Sequence, residues 1–267
     1  MRRPLLAAIA LAVAAADLLP LALIVKQALT PERESFAWPP TWVPHALTTE
    51  NFRIVGEGIE FGRGVLLSLG VAAATVASTL ALALPAAWLA ARRPAEDRVL
   101  DIAMVVTRLF PSLVLAIPLA ALFVGVGLYD HPAGVGLWLA HTLVALPFAF
   151  LVLRAAFRGV PIDVEDAARL DGATPVAMFL RVSLPLVRPA LAAAGFLVFL
   201  VSWDEFAFSL LLQVIHRPLP PLLYYFAAFG YPGLASALAA IMLVPALAIV
   251  LVLEPAFRPG VFGGSGR

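Results

Sequence analysis

No cysteine occurs anywhere in the 267 residues, which excludes disulfides, thiol catalysis and cysteine-ligated metal centres together. Lysine is almost as scarce, with Lys26 the only one. It follows no glycine run, so a G-x-x-x-x-G-K-[ST] phosphate loop cannot be present. The glycine pairs Gly125/Gly127 and Gly134/Gly136 lack the third glycine of a dinucleotide fingerprint and read as helix ends. The histidines offer no metal-ligand spacing, His131 and His141 being too far apart for one helical face. Charge is sparse too: 13% of residues are charged and the net charge is +1, which gives nucleic-acid binding no support.

What the chain has instead is apolar surface. It is 62% hydrophobic, with a mean hydropathy of +0.97. A soluble domain of this length would need far more polar side chains for its exposed shell. Windows of roughly 20 apolar residues identify a helical membrane protein. The fold class expected is all-α, a single polytopic membrane domain of about six transmembrane helices over residues 1–267. The spans read as 4–25, 63–91, 102–128, 134–157, 189–214 and 233–253. The first stands behind Arg2-Arg3; a signal peptide cleaved near Ala14-Ala15-Ala16 is the rival reading. The apolar run continues to Val25, so an uncleaved anchor is expected. Residues 26–62 are too polar to span, and the prolines inside the expected spans, Pro85, Pro111, Pro118, Pro147 and Pro245, are expected to be tolerated in membrane helices.

Orientation follows from the basic residues. With the N-terminus inside, Arg2, Arg3, Arg92, Arg93, Arg98, Arg154, Arg158, Arg169, Arg181, Arg188, Arg258 and Arg267 are cytoplasmic. Lys26, Arg33, Arg53, Arg63 and Arg217 are outside, and Arg108 falls inside a span. Both termini are therefore expected in the cytoplasm, together with a polar loop at 158–188.

That loop is long and too polar to lie in lipid. Asp163 after Pro161 fits a helix N-cap, with Asp166 as a weaker capping-box partner. Glu165 and Asp166 fall in the first turn, where the helix dipole favours negative charge. Ala167 and Ala168 make a smooth face, and Gly172 supplies a stop. Thr174-Pro175 has N-cap and N1 chemistry, so Val176–Leu184 reads as a second short helix, broken by Pro185 and Pro189. The loop is expected to be two short helices joined at a glycine.

The spacing carries more. Asp166-Ala167-Ala168, three residues, Gly172, nine residues, then Val182-x-Leu184-Pro185 resembles the EAA loop of ABC-importer permeases, E-A-A-x-x-x-G followed after nine residues by I-x-L-P. Asp166 replaces Glu and Val182 replaces Ile. Ala168-Arg169-Leu170-Asp171-Gly172-Ala173 looks like the A-R-I-D-G-A variant of carbohydrate-type permeases. Ser202-Trp203-Asp204-Glu205-Phe206 is similar to their S-W-N-E-F segment, with Asp204 in place of Asn. Pro39-Pro40-x-Trp42-x-Pro44 and Thr48-x-Glu50-Asn51-Phe52 look like their external segment. Polyamine-type permeases share the loop but carry S-x-D-D-F, so Asp204 leaves the substrate class open.

The resemblance implies an ABC type I importer permease in a bacterial inner membrane, not an enzyme, transporting carbohydrates or polyols. Polyamines or other polar organic solutes are the alternative within transport, and an intramembrane enzyme is the alternative outside it. Implied partners are an ATPase dimer, a second homologous permease, an extracytoplasmic solute-binding protein and membrane lipid. ATP and Mg would sit on the ATPase, leaving this chain without a cofactor. By the same resemblance Glu165, Asp166, Ala167, Ala168, Asp171, Gly172, Leu184 and Pro185 would couple to the ATPase. Ionisable residues inside spans are functional candidates by default: Asp17, Arg108, His141, Asp204 and Glu205, each also readable as a structural bond between helices. Trp203 would stack on a sugar ring while Asp204 and Glu205 accept its hydroxyls, with Arg108 or His141 pairing the second carboxylate.

Overall fold

The computed structural model describes residues 2–92, 102–104, 106–107 and 109–254. Arg93, Arg98, Arg108, Arg258 and Arg267 lie outside the described residues. Among the described residues there is no strand. The helices are α1 (Arg2–Ala28), α2 (Glu32–Ser35), α3 (Glu50–Glu57), α4 (Ile59–Arg92), α5 (Ser112–Gly125), α6 (Val135–Arg158) and α7 (Ile162–Leu170). They continue with α8 (Pro175–Met178), a π-helical turn (Phe179–Ser183), α9 (Leu184–Leu186), α10 (Arg188–Trp203), α11 (Ala207–Leu212), α12 (Leu219–Ala228) and α13 (Pro232–Leu253).

Among the described residues α1, α4, α6 and α13 are each long and apolar enough to cross a bilayer. The segment from α8 to α9, together with α10, meets the same test as a bent pair, with an 80° angle between its parts.

The centre is a three-helix packing of α4, α6 and α10. Its contact face is built from small residues, Ala83, Ala87, Ala90, Ala145, Ala149 and Ala194, with Phe150, Leu153, Phe157 and Val198 filling between them. Lipid tails are as apolar as leucine, so helices in a membrane associate through close packing, which alanine permits. Helix α1 lies against α13 and leaves Leu5, Leu6, Leu11 and Leu18 exposed. Those side chains suit a hydrocarbon environment.

Two expected spans are interrupted. Residues 102–128 were expected as one helix, yet Pro111 (φ −58°, ψ 140°) stands as N-cap of α5. The proline removes a backbone donor and holds an extended conformation there. The resulting 14-residue helix reaches about 21 Å, short of the bilayer core. The expected span at 189–214 stops at Trp203 and resumes at Ala207.

The loop also departs from expectation in detail. Its first helix begins one residue before Asp163, with Pro161 rather than Asp163 at the N-cap. Asp166 pairs with Arg169 instead of closing a capping box. The second helix is not a plain α-helix but α8, the π turn and α9 in succession, and it runs through Pro185 to end at Val187. Pro185 and Pro189 each sit at the start of a helix, α9 and α10, where a missing N–H costs nothing.

Candidate functional site

Two places gather the residues singled out from the sequence: the loop α7–α9, and the break between α10 and α11.

At the loop, α7 ends in a turn closed by Gly172 N–H donating to the Arg169 carbonyl (2.9 Å) and Ala173 N–H to the Ala168 carbonyl (2.9 Å). Gly172 has φ +82°, a backbone region that costs any side-chain-bearing residue strain. An added Cβ would meet nothing within 4 Å, so the need for glycine is purely conformational. Thr174 then caps α8, its hydroxyl accepting from Ala177 N–H (3.3 Å), with Pro175 at the first turn.

The two faces of α7 differ. Asp166, Ala167, Asp171 and Gly172 are exposed and Ala168 is half-buried. Leu170 is 90% exposed, and Val176 on α8 is exposed as well. The Asp166–Arg169 ion pair lies in the open at 2.6 Å and contributes little to stability. Leu184 and Pro185 are half-buried under the loop.

Glu165 points the other way and is 1% exposed. Its carboxylate accepts from Arg92 Nε and Nη2 (both 2.8 Å), from Trp88 Nε1 (3.1 Å) and from Ser183 Oγ (2.6 Å). Arg92 also donates to the carbonyls of Phe157 (2.9 Å) and Val160 (3.3 Å). Burial pushes the Glu165 carboxyl up, but hydrogen bonds from Arg92, Ser183 and Trp88 and the Arg92 charge outweigh it and hold the group at about 2. The Glu165 carboxyl is therefore ionised, with both oxygens hydrogen-bonded. Removing Arg92 would strand the buried Glu165 charge, at a cost of about 3–5 kcal/mol.

At the break, Asp204 and Glu205 line one cavity of ≈ 430 Å³ with Thr107, Phe110, Ser112 and Leu200. Asp204 is exposed and Glu205 half-buried. Glu205 Oε1 accepts from the N–H groups of Ala207 (3.0 Å) and Phe208 (3.2 Å), so this carboxylate caps α11, and Oε2 accepts from Ser112 (3.3 Å). The expected donor for the second carboxylate is thus Ser112 and backbone, not His141; Arg108 lies outside the described residues. His141 is buried and bonds Ser202 through Nδ1 (2.8 Å). Asp17 sits on the exposed helix α1.

Trp203 is not in this cavity, which corrects its reading as a sugar platform. Its indole is 5% exposed, donates to the Met242 carbonyl (3.0 Å) and stacks on Phe199. Consecutive residues on a helix diverge by about 100°, so Trp203 anchors α10 to α13 while Asp204 turns outward.

Sequence reading missed Trp88, Arg92, Ser183 and Ser112. Arg92 appeared only as one basic residue among twelve, and nothing local ties it to a carboxylate 73 residues away.

The profile of the family described as "Binding-protein-dependent transport system inner membrane component" matches residues 69–263. The trehalose transport system permease protein of Mycobacterium tuberculosis is 31% identical, over 84% of this chain and 83% of that protein. The sulfoquinovosyl glycerol transport system permease protein of Agrobacterium fabrum is 29% identical, over 92% and 88%. In fold, the chain superposes on a chain of a bacterial ABC transporter involved in import of the acidic polysaccharide alginate, with TM-score 0.74 and 19% identity, covering 96% of each.

Proposed function

Because the chain belongs to the family of inner membrane components of binding-protein-dependent transport systems, we propose that it passes a carbohydrate or polyol across the membrane under the drive of a separate ATPase pair. The observation that carries this reading is the outward face of the loop: Asp166, Ala167 and Leu170 on a short helix, turned back at Gly172. A short exposed helix with small residues suits docking in a groove of a partner protein. ATP and Mg would belong to that partner. The solute would arrive from an extracytoplasmic binding protein, and a second permease would complete the path. Basic residues concentrated at the loop end support both termini and the loop lying in the cytoplasm.

Carbohydrate is favoured by what the relatives are named for, trehalose, sulfoquinovosyl glycerol and alpha-glucoside among them. A cationic solute is the second reading, favoured by the paired carboxylates Asp204 and Glu205 on one cavity wall. Uptake of radiolabelled trehalose, an alpha-glucoside and spermidine by cells expressing the complete transporter decides between them. Saturable uptake of a sugar, absent from cells lacking this chain, is expected; uptake of spermidine alone would overturn the carbohydrate reading.

A further inference from the structure

We infer that Glu165 and Arg92 form a latch that transmits force from the loop to the cavity, and that Glu165 is a positioning residue rather than a contact for the ATPase. The inference rests on the reading of the loop as the coupling element.

Asp166, one residue along α7, is exposed, while Glu165 is 1% exposed and spends both carboxylate oxygens inside the protein. A side chain so enclosed has nothing to offer a docked partner. What it does have is bonds to three residues on two elements: Trp88 and Arg92 at the end of α4, and Ser183 in the π turn. Through Arg92 the same carboxylate is tied to the carbonyls of Phe157 and Val160 at the end of α6. The contacts around it are aromatic and close-packed, with Phe179 against both Trp88 (5.3 Å) and Phe157 (6.2 Å). Bidentate guanidinium–carboxylate geometry fixes direction as well as distance. A push on α7 therefore reaches α4, α6 and the π turn together.

The π turn is where the movement can leave the loop. It brings Ser183 inward to Glu165 and is followed at Val187 by an 80° bend into α10. Extra-wide turns of this kind occur often at functional positions. Helix α10 is 16 residues long, a rod of about 24 Å. Its far end carries Leu200 and Val201, and Asp204 and Glu205 follow it directly; all four line the cavity. The latch at one end of a stiff helix and the carboxylates at the other describe a lever, which turns displacement at the loop into a change of cavity shape.

The test uses the complete transporter, with its second permease, ATPases and binding protein, in lipid nanodiscs and proteoliposomes. Glu165→Gln keeps the shape of the side chain and removes its charge; Arg92→Lys keeps the charge and removes the fork. Solute moved per ATP hydrolysed is expected to fall about three- to thirtyfold in Glu165→Gln, and less in Arg92→Lys, while the ATPase still co-purifies. A merely structural role would lower the amount of complex without moving that ratio. Leu170→Asp, on the outward face, is expected instead to lose the ATPase during purification. An unchanged ratio in both latch variants, loss of the ATPase from either, or failure of both to accumulate would overturn the latch. Leu170→Asp with ATPase bound and transport intact would overturn the coupling reading itself, which separates the two failures.

Discussion

Glu165 and Asp166 are neighbours of similar chemistry with opposite environments, and this difference sets what each can do. Glu165 has a folded pKa of about 2 against an ordinary value of 4.5. A depressed carboxylate contributes stability that is fully present above the unfolded value and is lost as pH falls through the folded one. The contribution is therefore constant from pH 5 to 8 and declines only between about 4.5 and 2. Solute moved per ATP should accordingly be flat across pH 5–8 in so far as it depends on this pair, measured in proteoliposomes with the internal and external pH matched. A break in that ratio near pH 6 would mean that a different group limits coupling. Gly172 is the other decisive residue of the loop. Proline cannot adopt its φ of +82°, so Gly172→Pro should insert normally yet lose the ATPase or transport. Gly172→Ala should be milder, at about 1–2 kcal/mol of local strain. Transport at wild-type level by the proline variant would show that the turn is not needed.

At the scale of elements, the break between α10 and α11 gives Glu205 two separable roles. As an acceptor it caps α11, and as a charge it lines the cavity. Glu205→Gln keeps an acceptor oxygen and removes the charge; Glu205→Ala removes both. Alanine should lower the thermal midpoint in detergent by the loss of a cap, about 1 kcal/mol, and alter transport as well. Glutamine should alter transport with little change in midpoint. If glutamine leaves the KM for solute untouched, the charge does not face the path. On the opposite side of α10, Trp203→Phe keeps the stack on Phe199 and loses the bond to the Met242 carbonyl. A loss of about 1 kcal/mol in stability is expected, with solute KM unchanged. A raised KM would restore Trp203 to the path.

At the scale of the molecule, one surface is shaped for lipid and another for protein. Helix α1 leaves Leu5, Leu11 and Leu18 exposed, while the loop end exposes Leu170 and Val176 where the sequence pattern places water rather than lipid. Large apolar side chains left open in an aqueous setting mark an interaction surface. The chain also has no phosphate loop of its own, its one lysine being Lys26. Proteoliposomes holding this chain alone should therefore show no ATP-driven uptake. Uptake should appear only when a second permease, the ATPases and the binding protein are reconstituted with it, and uptake by the single chain would refute the heteromeric reading.

The sequence by itself determined the class of the molecule. Scarce charge, long apolar windows and the absence of cysteine and of a phosphate loop are properties of composition, and composition already dictates burial in lipid. The turn at Gly172 and the cap at Thr174 were legible because turn and cap chemistry is local, satisfied by residues within a few positions. The inward direction of Glu165 was not legible. Its donors come from α4 and the π turn, and Arg92 meets it across 73 residues, a pairing that exists only once α4, α6 and the loop have packed. At the interruption after Trp203 the partners are equally distant in sequence, Trp203 bonding the Met242 carbonyl and Ser112 reaching Glu205 across 93 residues. Hydropathy sums side chains over a window and is blind to such partners. That the chain is an apolar helical membrane protein is written in its composition; which carboxylate faces the protein and which faces the cavity is decided by packing.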